Sequence, residues 1–209
     1  MSLDLWLAFV AASTALLLIP GPTVLLVLSY ALSKGRGVAL ASAGGVALGD
    51  LVAMTASLLG LGALVLASAT LFTALKWIGA LYLVWLGIRL MRSAPGAGLD
   101  LPQGAQVTGR GVFWHAAAVT ALNPKSIAFF IAFVPQFVVL EAPLAPQFAI
   151  LIATFVTLAA LNTLAYALLA DRMRARIGQP RVIAWLTRAG GGALVAMGLA
   201  TAALRRGAA

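Results

Sequence analysis

The sequence predicts an all-α integral membrane protein: six transmembrane helices forming an inverted 3+3 repeat, with the first helix of each half broken. Three observations carry this prediction. Of the 209 residues, 63% are hydrophobic and only 9% are charged. A soluble domain is about 45–50% apolar and roughly 25% charged, so too little polar surface remains to face water. Six apolar stretches reach the about 20 residues that a spanning helix needs. Finally, a proline motif interrupts the first stretch of each half, PGP at 20–22 and NPK at 123–125.

The spans fall at 5–32, 38–67, 71–90, 112–140, 146–170 and 183–204. The first holds LLLIPGPTVLLVLSY, an apolar run long enough to cross a bilayer yet broken near its middle. The second carries GGVALGD, with Gly45 and Gly49 one turn apart and Ala41 a turn earlier, a small-residue stripe that lets helices approach closely. Trp77 and Trp85 in the third and Trp114 in the fourth are belt or packing aromatics. Connections are short except between spans three and four, where SAPGAGLDLPQG at 93–104 has the Gly and Pro content of a flexible linker. That linker divides the chain into 1–92, a first three-helix repeat, 93–110, the linker, and 111–209, a second repeat.

Basic residues set the direction of insertion. Lys34 and Arg36, then Arg89, Arg92 and Arg110, then Arg172, Arg174, Arg176 and Arg181 fall on one side, which is expected to be cytoplasmic with both termini outside. Arg205 and Arg206 oppose this mildly. Because each half has three spans, the second enters the membrane upside down relative to the first, a recurring transporter plan.

Composition also excludes several chemistries. With no cysteine, there is no disulfide, thiolate metal site or thiol redox centre. One histidine and five acidic residues are too few for a protein metal cage, and no cofactor is implied. The net charge of +9 lies between apolar spans and not along one face, so it fits membrane orientation and not a nucleic-acid partner. The N-terminus lacks the basic flank of a cleavable signal.

At about 1.5 Å per helical residue, Pro22 lies roughly 18 Å from Lys34, Asn123 about 16 Å from Val112 and Asn162 about 14 Å from Asp171. Asp50 is similarly deep from Gly37. In a hydrocarbon core about 30 Å thick, these marks share the midplane. Proline removes an amide donor and frees carbonyls, which in lipid are tolerated only against protein or a hydrated cavity. Each break also starts a new helix whose N-terminus favours negative charge: one begins at Thr23 after Pro20, Gly21 and Pro22, the other at Ser126 after Asn123, Pro124 and Lys125. A carboxylate suits that centre, and the carbonyls ending the preceding helix suit an ammonium group. Asp50 costs about 2.5–3.5 kcal/mol at a helix centre on insertion scales, so it must face protein or water. Its readings are a proton or ammonium site, with Lys125 receiving a carboxylate, or an Asp50–Lys125 ion pair that only fixes packing. Asn162 and Tyr166, one turn apart, either contact a ligand or bond between helices. His115 is interfacial and passive. RMRAR at 172–176 is the positive-inside signal.

With IPGP at 19–22, GGVALGD at 44–50, KWIGALYLVWLGIRLMR at 76–92 and NPKSIAFFIAFVPQF at 123–137, the chain resembles the LysE/RhtB family of bacterial amino-acid exporters over nearly its full length. The resemblance implies a secondary transporter of the bacterial inner membrane, moving small amino acids or derivatives outward in exchange for protons by alternating access. It carries over Pro20, Gly21 and Pro22, Gly49 and Asp50, and Asn123, Pro124 and Lys125 as characteristic motifs, but names no substrate. Export of another small solute or cation, or a passive channel, is the alternative. An enzyme is not expected, since, apart from Asp50 and Lys125, no candidate nucleophile–base dyad and no metal cluster lies within the spans. The small-residue stripe serves contacts within one chain or in a homo-oligomer.

Overall fold

The structure, a computed structural model, describes residues 1–19, 21–67, 69–92, 108–177 and 180–203. Pro20 and nearly all of the predicted linker lie outside the described residues, which contain helices and no strand.

Local chemistry sets the helix ends. Helix α1 (Leu3–Leu18) begins at Ser2, whose Oγ accepts the Leu5 amide at 3.4 Å. It stops where the PGP motif begins, with Ile19 extended at φ −76° and ψ 118°, because a proline disfavours helical geometry in the residue before it. Helix α2 (Pro22–Lys34) starts on a proline, whose missing amide costs nothing in the first turn, and bends away from α1 by 57°. A 3-10 turn, Gly35–Val38, leads into α3 (Ala39–Ala67), and α4 is Ala69–Arg92. The second half repeats the device. Helix α5 (Gly109–Ala121) is capped by Thr108, and α6 (Pro124–Ala132) is capped by Asn123 and starts on a proline. The bend between them is 45°. Helices α7 (Leu144–Ile177) and α8 (Pro180–Ala203) complete the described helices.

Two boundaries differ from the predicted spans. The fourth was expected to run to residue 140, but α6 ends at Ala132 and a 3-10 turn, Val134–Phe137, takes over because Pro135 cannot continue the ladder. The fifth was expected to end at 170, but α7 continues to Ile177: RMRAR is made of good helix formers, and no glycine or proline interrupts it. The turn before α7 is organised by buried Gln147. Its Oε1 accepts the Val139 amide at 2.9 Å, and its Nε2 donates to the carbonyls of Val139, Ala142 and Pro143 at 2.9, 3.3 and 3.1 Å. One side chain thus satisfies backbone groups that an irregular stretch leaves open.

This is a membrane protein's surface. Residues Ala39–Ala63 and Leu144–Ala170 are each long and apolar enough to cross a bilayer, and so is each broken pair taken as one span. Helices α4 and α8 have 24 residues each, about 36 Å of helix. Large apolar side chains point outward, among them Leu40 at 77% and Leu81 at 67% exposure. Trp77, Trp85 and Trp114 are exposed too, which settles their alternative readings in favour of the outer surface. Arg89 lies 5.4 Å above the Trp85 ring.

Glycines set the closest helix contacts. A Cβ on Gly45 would collide with the Phe113 carbonyl oxygen, and one on Gly49 would come within 2.6 Å of the Ala117 carbonyl oxygen and the Thr120 Cβ. The GxxxG stripe is therefore a packing seam within the chain. It runs parallel to α5, since the later glycine meets the later residues. A second seam escaped sequence reading. Gly87 on α4 faces the Gly191 carbonyl of α8, while a Cβ on Gly198 would sit 2.7 Å from the Ala80 carbonyl and the Val84 side chain. These two helices run antiparallel. Helix α3 packs on α7 as well, with Gly62 facing Phe148.

Candidate functional site

The two helix breaks meet. Asn123 accepts the Lys125 amide at 3.0 Å through Oδ1, capping α6, and its Nδ2 donates to Thr23 Oγ1 at 3.2 Å. Thr120 Oγ1 donates to the same Thr23 oxygen at 3.4 Å. The first turn of α2 is thereby tied to the first turn of α6, and both new N-termini come together inside the protein.

The end of α1 is held just as tightly. The last carbonyls of a helix have no partner in the helix itself. Lys125 Nζ donates to Leu16 O at 3.2 Å and to Ile19 O at 3.0 Å. Asn162 Nδ2 donates to Leu17 O at 3.0 Å, and the Tyr166 hydroxyl donates to Leu18 O at 3.1 Å. Four successive carbonyls thus receive donors from α6 and α7. The ammonium that the sequence led us to expect at these carbonyls is the chain's own lysine. Gly21 makes room for it: a Cβ there would lie 3.1 Å from Lys125 Nζ and 3.3 Å from Cε.

Between these groups lies a cavity of about 20 Å³ lined by Gly21, Thr23, Asp50, Asn123, Lys125, Ser126 and Asn162. A single water needs roughly 10–15 Å³ measured in this way, so the space is water-sized. Asp50 is 2% exposed. Among the described residues it makes no hydrogen bond and no close ion pair, although the Lys125 charge acts on it. The direct Asp50–Lys125 ion pair weighed from sequence is therefore absent here: Lys125 is committed to carbonyls instead. No group of three or more acidic or histidine side chains able to hold a metal occurs among the described residues.

The predicted residues divide by position. Pro22 and Pro124 are exposed in the first turns of their helices; they make the breaks without lining the cavity. Pro20 lies outside the described residues. Tyr166 supports Leu18 O from outside the cavity, whereas Asn162 both bonds α1 and lines the space. Sequence reading missed Thr120 and Thr163, which complete the lining with Leu16, Leu17, Val24 and Val46. Thr120 sits three residues before Asn123 and Thr163 beside Asn162, but a threonine inside a helix is too common a signal to mark either.

Side-chain contacts also lie on either side of the first break along the chain. On one side Phe9 of α1 stacks edge-on against Phe137 at 5.3 Å, continuing through Phe133 and Phe129 to Phe155 of α7. On the other, the Tyr30 hydroxyl of α2 lies 2.6 Å from His115 Nδ1 of α5. His115, read from sequence as passive and not a proton relay, is thus a contact between α2 and α5.

The two helix breaks thus enclose a polar, water-sized pocket within an apolar chain. Residues 14–205 match the model of the family described as LysE type translocator. The chain belongs to that family. This LysE-type translocator is 35% identical over 206 residues to the homoserine/homoserine lactone efflux protein of Salmonella typhimurium, covering 98% of this chain and 99% of that one. It is 32% identical over 204 residues to an uncharacterized membrane protein of Vibrio cholerae, covering 95% and 97% of the two chains. It is also 30% identical over 140 residues to the leucine efflux protein of an Enterobacter species, covering 67% and 66%. No solved structure matches it. The translocator is a membrane protein and not an enzyme.

The contribution of the α6 cap is measurable. Replacing Asn123 with Ala removes both the cap and the bond to Thr23, and should destabilise the translocator by about 1–2 kcal/mol. Asn123→Asp keeps the capping oxygen and should lose less. Thermal unfolding in detergent reads both.

Proposed function

We propose that this translocator exports small neutral amino acids of the homoserine or leucine type from the cytoplasm in exchange for protons, by alternating access around the cavity at the two breaks. The observation that carries the reading is the coincidence, in one water-sized cavity, of an unpartnered buried carboxylate, Asp50, with an ammonium on helix-end carbonyls, Lys125. A zwitterion needs groups of both signs, and an antiporter needs a site that can take a proton. The efflux names of two relatives support the substrate class.

Alternating access requires a site closed on both sides in some state. The Phe9–Phe137 cluster and the Tyr30–His115 contact are the two closures that would open in turn. An inverted repeat of 1–92 and 111–209 is supported by how helices pair: α3 packs antiparallel on α7 and α4 on α8, each against its counterpart in the other half. In this reading α1/α2 and α5/α6 are the first and fourth of six spans. The chain sits in the inner membrane with both termini outside and the basic loops in the cytoplasm. Of the set expected from sequence, Gly21, Thr23, Asn123, Lys125, Ser126 and Asn162 line the cavity and are assigned to substrate binding, Pro20, Pro22 and Pro124 to the breaks, Tyr166 to support of the α1 end, and Asp50 to coupling.

The test is release of labelled amino acids from proteoliposomes with and without an imposed pH gradient. Saturable release of homoserine or leucine is expected, faster with the gradient. Linear, gradient-independent release of unrelated solutes would instead indicate a channel.

A further inference from the structure

The cavity is too small for any amino acid, so loading must displace something already in it. The candidates differ in mobility. Asn123 is tied into a helix cap and Thr23 into a three-way contact, while Asn162 is fixed to Leu17 O. Lys125 has a four-carbon stem with a rotatable ammonium, and Gly21 offers no side chain to obstruct its end. Its departure would also uncover acceptor capacity at two carbonyls at once: Ile19 O would become free and Leu16 O would keep only the Ile19 amide, while Leu17 O and Leu18 O stay held by Asn162 and Tyr166.

We infer that Lys125 is a tethered stand-in for the substrate's ammonium group, occupying the α1 carbonyls when the site is empty and yielding them when an amino acid binds. This deepens the export reading above and rests on it. In the loaded state the substrate's ammonium donates to Leu16 O and Ile19 O, and the Lys125 ammonium turns to the substrate's carboxylate. Donors and acceptors are conserved: two carbonyls exchange one ammonium for another, and the displaced ammonium gains an anion. The charge count of the site is unchanged as well, because the incoming molecule is a zwitterion.

The exchange works as a selectivity filter. A buried ammonium stripped of its acceptors is expensive, so Lys125 leaves only when an anion arrives to receive it. An amine without a carboxylate cannot receive Lys125, and a carboxylic acid without an amine leaves Ile19 O orphaned and Leu16 O with the Ile19 amide alone. Both groups on one small molecule are needed. Asp50, beyond close ion-pair reach of Lys125, stays available for a proton throughout.

Two measurements test this. In the first, the chain keeps Lys125 while Lys34 and Lys76 are changed to Arg, so that ζ-¹⁵N-lysine labelling reports a single ammonium. Saturating L-homoserine or L-leucine should move that resonance, while the matching amino alcohols should leave it in place. In the second, binding of each amino acid and its amino alcohol is compared in the wild type and Lys125→Met. The wild type should prefer the amino acid by about tenfold or more. The variant should lose that preference and bind the amino alcohol more tightly than the wild type does, since the carbonyls stand open. A structural lysine would instead weaken both ligands alike. If Lys125→Met fails to insert, the labelled protein still decides. An unmoved Lys125 resonance in protein that demonstrably exports the amino acid overturns the displacement and leaves export intact. Absence of both export and binding overturns the two together.

Discussion

Changing Asp50 to Asn should reduce gradient-driven amino-acid release to the level of empty liposomes while the protein still inserts and folds. Asp50 is buried and, among the described residues, makes no hydrogen bond or close ion pair, so an amide of the same shape breaks no contact. The stability change should stay within about 1 kcal/mol. A buried carboxylate with no close partner is expensive in a membrane, by about 2.5–3.5 kcal/mol or more, and among the described residues the Lys125 charge, beyond ion-pair reach, is the electrostatic offset to that cost. What the amide removes is the capacity to alternate between charged and neutral forms. Exchange of labelled for unlabelled amino acid across the membrane, which needs no net proton movement, should survive better than driven export. Equal loss of both, with lowered thermal stability, would mean that Asp50 is structural.

The second large effect is expected at Gly45. A Cβ there would overlap the Phe113 carbonyl and approach the Ala116 Cβ at 2.9 Å, and the first cannot rotate away because it is backbone. Gly45→Leu must force α3 and α5 apart along the seam, about one turn before Gly49 and Asp50. Overpacking costs about 1–3 kcal/mol where side chains can adjust; against backbone we expect about 3 kcal/mol or more, read as loss of monodisperse protein and a lower unfolding temperature. Gly60 provides the control. It lies in the same helix, and a Cβ added there would meet nothing within 4 Å, so Gly60→Ala should be neutral or stabilising by up to about 1 kcal/mol. Similar damage from both would contradict the seam.

Much of this was legible in the sequence because lipid makes certain residues costly. Two proline motifs, a deep aspartate and a deep lysine stand out in an apolar chain, and helix rise alone puts them at one depth. The GxxxG stripe was legible for the same reason, since glycine has few other uses inside a long helix. Rotation about each helix axis was not legible. Depth shows that Lys125 reaches the midplane but not whether its ammonium meets a carboxylate or the end of α1, and the structure gives it carbonyls. Tyr166 and Asn162 likewise read as a pair on one face, yet only Asn162 lines the cavity. The α4–α8 seam went unseen because Gly87, Gly191 and Gly198 stand far apart in the chain or lack the four-residue spacing that draws attention. Gln147 went unseen because its value lies in loop carbonyls whose need appears only once the turn is built.

The most direct test of the central claim is the pH inside proteoliposomes loaded with homoserine or leucine and a trapped pH indicator, diluted into amino-acid-free buffer at equal pH. Outward flow of amino acid through a proton antiporter must draw protons inward. Acidification of the lumen is predicted with the wild-type protein, and none with Asp50→Asn. Amino-acid release without acidification, or acidification undiminished in Asp50→Asn, would contradict proton-coupled export through this site.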